Sequence, residues 1–115
     1  MKHVLSFTLI MLLSFTVFSQ STDTLNIIIK GKKEGYWIHK NFFKTRIKSE
    51  GFYKKNVKNG FWKEYSKKMP TVFQGNYIDG LRDGSWYIIS TRNDTKLDLQ
   101  KYHKGRMVGG ATLSW

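Results

Sequence analysis

The chain of 115 residues contains no cysteine, a single proline, and only 8 acidic residues against 20 basic ones. The absence of cysteine excludes disulfide bonds, thiolate nucleophiles, cysteine-based metal sites and a lipid-modified N-terminal cysteine. Packing alone must therefore hold the fold together. The aromatic share of 16% is high, which suits a small fold that needs large side chains to bury enough surface.

The sequence also lacks the residue constellations of enzymes. His39 and His103 have no further ligand at the spacing of a helical metal site. Asp79 and Asp83 bracket a turn glycine, which explains this acidic pair more simply than acid–base catalysis does. The stretch 105–109 is not followed by Gly-Lys-Ser, so it is not a phosphate-binding loop. We therefore predict a non-catalytic protein without a metal or cofactor.

The first 19 residues have the pattern of a secretory signal. Lys2 and His3 form a short basic start, and residues 4–18 are an apolar run. This run is shorter than the about 20 residues that span a bilayer, and Ser19 has the small side chain of a cleavage site. We predict cleavage after Ser19, a flexible segment over residues 20–26, and export to the periplasm, the cell surface or the medium.

The predicted mature chain is strongly basic. Cleavage removes one of the 20 basic residues and none of the 8 acidic ones, so a net charge of +11 remains. Such a surplus favours acidic partners. For an exported chain we expect a protein, an acidic envelope polymer or a phospholipid surface, and we do not expect nucleic acid.

Aromatic residues and glycines recur in the rest of the chain with a period of 24 to 25 residues. One aromatic column consists of Trp37, Trp62 and Trp86, with Ala111 in the fourth unit. The other aromatic column consists of Tyr53, Tyr77 and Tyr102, with Ile28 in the first unit. The predicted turn residues are Gly31, Gly35, Asn56, Gly60, Gly80, Gly84, Gly105 and Gly109. A further glycine, Gly51 or Gly75, precedes the tyrosine by two residues in the middle units.

The spacing of these columns predicts one β-hairpin per unit. Aromatic and β-branched residues flank the glycines, as in strands, and glycine reaches the positive φ that a tight turn demands. Asn56, the one exception, is the next-best residue at such a position. Looser turns are predicted at 44–45, 67–70 and 92–95. The predicted fold is all-β, with a helical signal peptide followed, over residues 27–115, by four hairpin repeats that form an open, single-layer, twisted antiparallel meander.

This unit resembles the MORN-repeat family. The stretch from Gly75 to Trp86 is the best match, and the stretch from Gly51 to Tyr65 is the second. Trp-Lys-Glu-Tyr at 62–65 is similar to a bacterial branch of antitoxin-component-like repeat proteins. The resemblance covers residues 28–111. It implies an open sheet that is a scaffold for protein contacts or, in eukaryotic members, for acidic phospholipid contacts.

The aromatic columns and the basic clusters each have two interpretations. The aromatic stripes are either the core of the sheet or a platform for sugar rings or a partner's apolar surface. Adjacent aromatics such as Phe61 and Trp62 point to opposite faces, which favours a homodimer formed by sheet stacking, or a partner that covers one face. Basic residues near the turns either protect sheet edges or bind an anion. The predicted binding residues are Tyr53, Trp62, Tyr65, Tyr77, Trp86, Tyr87, Lys54, Lys55, Lys58 and Arg82.

Three functions are consistent with these features. The leading hypothesis is an exported MORN-like scaffold that binds a protein partner or an anionic envelope component. The first alternative is an antitoxin-like protein that neutralises a partner. The second is a cell-wall carbohydrate-binding module, because choline- and glucan-binding repeats carry Gly-Trp and Trp-Tyr pairs at about this period.

Overall fold

The computed structural model describes residues 24–113, so the predicted signal peptide lies outside the described residues. The strands are β1 (Ile27–Ile29), β2 (Lys32–Lys40), β3 (Ile47–Lys54), β4 (Val57–Tyr65), β5 (Thr71–Ile78), β6 (Leu81–Ser90), β7 (Lys96–His103) and β8 (Arg106–Thr112). They form one open sheet in sequence order, and each strand is antiparallel to the next. The predicted all-β antiparallel meander is confirmed, and residues 24–113 contain no helix.

Each hairpin closes with a two-residue turn in which both residues have positive φ. In the second hairpin these are Lys55 (48°) and Asn56 (72°). The other three turns are Lys30-Gly31, Asp79-Gly80 and Lys104-Gly105. Positive φ at both positions defines the type I′ turn, whose twist matches that of the flanking strands. One of the two predicted columns of turn residues therefore lies in these turns, namely Gly31, Asn56, Gly80 and Gly105.

Backbone hydrogen bonds join the second, third and fourth of these turns to the preceding hairpin. The donors and acceptors are Asn56 N and Lys33 O (2.9 Å), Gly80 N and Lys58 O (2.8 Å), and Gly105 N and Arg82 O (2.8 Å). Because the same bond recurs at every junction between hairpins, it fixes the register from one repeat to the next.

The other column of predicted turn residues lies inside strands. Gly35, Gly60 and Gly84 have positive φ within β2, β4 and β6. The register between the strands of a hairpin shifts beside Gly60 and Gly84, so these glycines belong to β-bulges rather than to turns. Gly109, the fourth member of this column, also lies inside a strand, β8, and it does not have positive φ. The bulge of the fourth hairpin has only one extra residue, Val108.

The shorter bulge also changes the alignment of the fourth repeat. Trp62 lies opposite Gly51, whereas the equivalent position on β7, Gln100, lies opposite Gly110. Gly110, rather than Ala111, therefore occupies the place of the tryptophan in the last hairpin.

Gly51 and Gly75 provide room for the tryptophans. A Cβ atom at Gly51 would lie 2.2 Å from the Trp62 indole, and one at Gly75 would lie 2.5 Å from the Trp86 indole. Each indole therefore lies flat on the backbone of the neighbouring strand. The indole N–H of Trp62 donates to the carbonyl of Phe52 (2.7 Å), and that of Trp86 donates one residue beyond Gly75 in the same way.

The core is a line of alternating tryptophan and tyrosine rings, which we call the aromatic ladder. Its rings are Trp37, Tyr53, Trp62, Tyr77, Trp86 and Tyr102, which meet edge to face at centroid separations of 5.0–6.4 Å. Trp62 and Trp86 are fully buried. The ladder therefore supplies across one sheet the packing that a second layer supplies in most folds.

Loops connect the hairpins, and the described residues before β1 contact the sheet. The hairpins are joined by loops over residues 41–46, 66–70 and 91–95, which contain the three predicted looser turns. The described end of the predicted flexible segment is bonded to β2. Asn26 N–H donates to the carbonyl of Tyr36 (2.9 Å), and the Asn26 side-chain oxygen accepts from Ile38 N–H (2.8 Å).

Candidate functional site

The ten predicted binding residues do not form one site. The face that carries the aromatic ladder, the ladder face, holds Tyr53, Trp62, Tyr77, Trp86, Lys58 and Arg82. Tyr65 and Tyr87 lie on the opposite face. Lys54 and Lys55 lie at the edge formed by the tight turns, which we call the tight-turn edge. The predicted binding residues therefore fall into three groups with different surroundings.

On the ladder face, basic side chains cover the aromatic rings. The Lys58 ammonium lies 4.5 Å from the centre of the Trp62 ring, and the Arg82 guanidinium lies 5.1 Å from that of Trp86. Lys33 has the equivalent place over Trp37. These are cation–π contacts. Because Trp62 and Trp86 are 0% exposed beneath them, these two indoles belong to the core and offer no surface on which a ligand could stack.

Glu64 orders the polar groups of the ladder face. It accepts hydrogen bonds from the Tyr77 hydroxyl (2.7 Å) and from Arg82 (3.2 Å). Burial and the hydrogen bond to Glu64 raise the pKa of Tyr77 to about 12. Tyr77 is therefore a neutral hydrogen-bond donor at physiological pH, and all three groups have structural partners.

His39, next to the ladder, is also held in its neutral form. Its Nε2 lies 3.0 Å from the Tyr53 hydroxyl, and its ring stacks on Trp62. Burial lowers the pKa of His39, and the charges of Lys33 and Lys58 lower it further. Residues 24–113 contain no group of three potential ligands that could hold a metal ion.

The opposite face carries a matching tyrosine–carboxylate cluster. Glu50 accepts hydrogen bonds from the hydroxyls of Tyr36 (2.6 Å) and Tyr65 (2.9 Å). Burial and the bond to Glu50 raise the pKa of Tyr65 to about 12. Tyr87 is covered by Lys96, whose ammonium lies 4.3 Å from the ring centre. Both predicted binding tyrosines of this face thus have partners within the chain.

The tight-turn edge is basic but interrupted. Because connections alternate between the two edges of a meander, the four tight turns lie along the same edge, as the sequence predicts. Exposed Lys30, Lys55 and Lys104 occupy three of the turns, and Asp79 occupies the corresponding place in the third hairpin. The eight residues of these four turns carry charge but include no aromatic residue.

The edge formed by the three longer loops, which we call the long-loop edge, has features that the sequence interpretation missed. Phe42 and Phe43 are 91% and 78% exposed, and their rings meet edge to face at 5.2 Å. Met69, in the next loop, is 63% exposed. Large apolar side chains so exposed on a small protein indicate a contact surface.

Hydrogen bonds hold the loop that presents Phe42 and Phe43. The Asn41 side-chain oxygen accepts from Thr45 N–H (2.9 Å), and the Asn41 backbone N–H donates to Arg46 O (3.1 Å). Arg46 in turn donates to the Lys67 carbonyl (3.1 Å) and so connects two loops. The aromatic pair is therefore presented by an ordered loop, which lowers the entropy cost of a contact.

Basic residues surround the exposed rings. The segments 40–48 and 66–70 contain no acidic residue. Their basic residues are Lys40, Lys44, Arg46, Lys48, Lys67 and Lys68. The carboxylate of nearby Glu50 is already engaged by two tyrosine hydroxyls. Between the loops lies a groove of about 770 Å³ lined in part by Phe42, Tyr65 and Met69.

A local signal for this site is present in the sequence. Lys-Asn-Phe-Phe-Lys at 40–44 places two consecutive aromatics between basic residues, in a stretch where the sequence predicts a turn. The repeat columns do not include this stretch, because the segments between the units vary in length and in residue type.

Comparison with known proteins adds no further assignment. No protein-family model, curated protein or solved structure matches this chain. Over residues 24–113 there is also no helix with the length and apolar character needed to cross a membrane. The candidate site at the long-loop edge therefore rests on the geometry, the exposure and the charge of its own residues.

Proposed function

We propose that this chain is an exported, non-catalytic, MORN-like repeat scaffold that attaches to an anionic component of the cell envelope through its long-loop edge. The observation that carries the proposal is the exposed pair Phe42 and Phe43, together with the six basic residues and the absence of acidic ones in segments 40–48 and 66–70. The scaffold part is supported by the periodic hairpins and by the family resemblance. Export is supported by the N-terminal sequence alone.

The chemistry of the long-loop edge favours an anionic phospholipid surface over a soluble polymer. An exposed phenylalanine gains roughly 1.5–3 kcal/mol when it is fully buried in an apolar environment. Each basic residue gains about 1 kcal/mol near an anionic membrane. A polymer supplies only the second contribution, whereas a lipid surface supplies both. A protein partner would need a preformed pocket for two protruding rings.

The test is the binding of the chain without residues 1–19 to lipid vesicles. We expect sedimentation with vesicles that contain phosphatidylglycerol and little sedimentation with pure phosphatidylcholine vesicles, at equal salt. Phe42→Ala with Phe43→Ala should weaken binding at least tenfold. Ile28→Ala, which shortens an exposed apolar side chain far from these loops, is the matched control and should bind like the parent chain.

Charge is tested by two matched pairs of substitutions. Lys44→Ser with Lys68→Ser removes two charges from the long-loop edge, and Lys54→Ser with Lys55→Ser removes two from the tight-turn edge. Only the first pair should weaken vesicle binding by tenfold or more. Equal losses from both pairs, or no binding to anionic vesicles, would overturn the proposed site.

A soluble polyanion separates the remaining sources of negative charge. If dextran sulfate binds with the same affinity to the parent chain and to the variant without Phe42 and Phe43, the polymer contact depends on charge alone. Equal loss of vesicle binding and polymer binding in that variant would contradict the role assigned to the rings. The burial of Trp62 and Trp86 gives the carbohydrate alternative less support, and nothing over residues 24–113 favours the antitoxin-like alternative.

A further inference from the structure

β8 is an outer strand of the sheet, and no described residue pairs with its outer side. After Arg106 the stretch 107–113 contains no charged residue and no proline. Met107 and Val108 are 57% and 66% exposed. The other outer strand, β1, has only three residues, and its preceding segment is bonded to β2. β8 is therefore the longer of the two outer strands, and no residue within 24–113 covers its outer side.

The unpaired backbone groups of β8 can be located from its bonds to β7. Leu113 N–H donates inward to the carbonyl of Leu97 (3.0 Å). Because N–H groups alternate in direction along a strand, those of Gly110 and Thr112 point outward. Natural sheets usually blunt such an edge with lysine, proline or a covering segment. Over residues 106–113 the devices of this kind are the charge of Arg106 and the bulge at Val108, both near the tight turn.

The side chains of the fourth hairpin also leave room for a neighbouring strand. Gly110 stands where the preceding hairpins have a tryptophan, and the aromatic ladder ends at Tyr102. A shallow groove of about 540 Å³ runs along β7 and β8, lined in part by Leu99 and Met107. The small residues at 109–111 allow another backbone to approach closely.

We propose that β8 pairs antiparallel with β8 of a second copy, so that two sheets join into one continuous sheet about a two-fold axis. This contact goes beyond the proposed function and does not depend on it. Antiparallel pairing is self-complementary. It places Lys104 and Arg106 of one copy beside the uncharged end of the partner's strand, which keeps like charges apart along an interface where residues 107–113 are neutral.

This arrangement differs from the two other ways in which copies could meet. Pairing of β8 with β1 of another copy would continue without closure and give filaments, and β1 offers only three residues to it. Stacking of sheet faces, which the sequence predicts, would leave the outer N–H groups of β8 free. The two-fold edge contact alone gives a closed dimer that protects those amides.

The first test is the mass of the chain without residues 1–19, measured by sedimentation equilibrium from micromolar to millimolar concentration. We expect a reversible monomer–dimer equilibrium. Thr112→Pro removes an outward N–H without removing a bond to β7, and it should weaken dimerisation at least tenfold. Thr112→Val retains the N–H and should dimerise like the parent chain. Circular dichroism of Thr112→Pro should show an unchanged fold.

Hydrogen exchange gives an independent measurement that does not require a substitution. The amides of Gly110 and Thr112 should exchange at least tenfold more slowly at high concentration than at low concentration. The amide of Leu113, bonded within the monomer, should change less. A monomer at every concentration, a dimer unaffected by Thr112→Pro, growth into filaments, or unprotected outer amides would each overturn the proposal.

Discussion

At the scale of single residues, the recurring unit is a tryptophan paired with a glycine on the adjacent strand. The Trp62 ring occupies the space above Gly51, and the Trp86 ring occupies the space above Gly75. The indole N–H then reaches a backbone carbonyl of the same strand, so the buried ring has no unsatisfied donor. Glycine is needed at these positions for close approach rather than for an unusual φ.

This contact predicts the effect of one methyl group. Gly75→Ala would place Cβ 2.5 Å from the buried Trp86 ring, which has no room to move aside. We expect the free energy of unfolding, measured by urea denaturation, to fall by about 1–3 kcal/mol.

Gly109→Ala is the matched control for that substitution. The nearest atom to a Cβ there is 4.0 Å away, and Gly109 has no positive φ. The control should stay within about 0.5 kcal/mol of the parent chain. Equal losses in both variants would show that the indole contact is not the cause.

At the scale of elements, each hairpin combines a type I′ turn with strands of fixed register. The turn determines where the chain reverses, and the bond from its second residue to the preceding hairpin determines how hairpins align. The loops over residues 41–46, 66–70 and 91–95 have no such shared geometry. They are therefore free to carry side chains for contact, as Phe42 and Phe43 illustrate.

The second turn offers a test of the role of its left-handed residue. Asn56 has φ of 72°. A residue with a Cβ atom is strained in this conformation unless its side chain makes a local hydrogen bond. Asn56→Ala should lower the free energy of unfolding by about 1–2 kcal/mol, as measured by urea denaturation.

Asn56→Gly is the conservative comparison, since glycine adopts this conformation without strain. It should leave the stability unchanged or slightly raised, although it loses the contact of the Asn56 side chain with Lys33 N–H (3.4 Å). Equal losses from glycine and alanine would show that this side-chain contact, which both variants lack, rather than φ, determines the choice of residue.

At the scale of the whole molecule, the sheet is stabilised by its ladder against its own charge. The chain has 20 basic and 8 acidic residues. Within residues 24–113 the ion pair between permanently charged groups is Arg82 with Glu64 (3.2 Å), and His103 Nδ1 lies 3.8 Å from a carboxylate oxygen of Asp83. Cation–π contacts use some of the remaining positive side chains. Most of the surplus charge is left to repel itself.

We therefore expect salt to stabilise this protein. Sodium chloride screens repulsion between exposed charges, so the thermal unfolding midpoint should rise between low and physiological ionic strength. A gain of ~1 kcal/mol corresponds to a rise of about 4–8 °C in a domain of this size. The variant with Lys54→Ser and Lys55→Ser should show a smaller rise. A midpoint that falls with salt would mean that attractive pairs dominate.

The strands, the tight turns and their order could be predicted from the amino-acid sequence alone. A type I′ turn needs residues that tolerate positive φ, so Gly31, Asn56, Gly80 and Gly105 mark the reversals locally. Short hairpins in succession then leave an antiparallel meander as the simplest topology. The looser turns were predictable for the same reason, because turn residues separate the strand-forming runs.

The roles that depend on register and on neighbouring strands become visible only in the folded sheet. The bulges at Gly60 and Gly84, and the replacement of the last tryptophan by Gly110, follow from how many residues separate paired positions. Burial of Trp62 depends on the Tyr53 ring of the neighbouring strand β3 and on Lys58, which lies four residues earlier in β4. The exposed apolar residues of the long-loop edge likewise come from two different loops, and their proximity is a property of the sheet rather than of either loop alone.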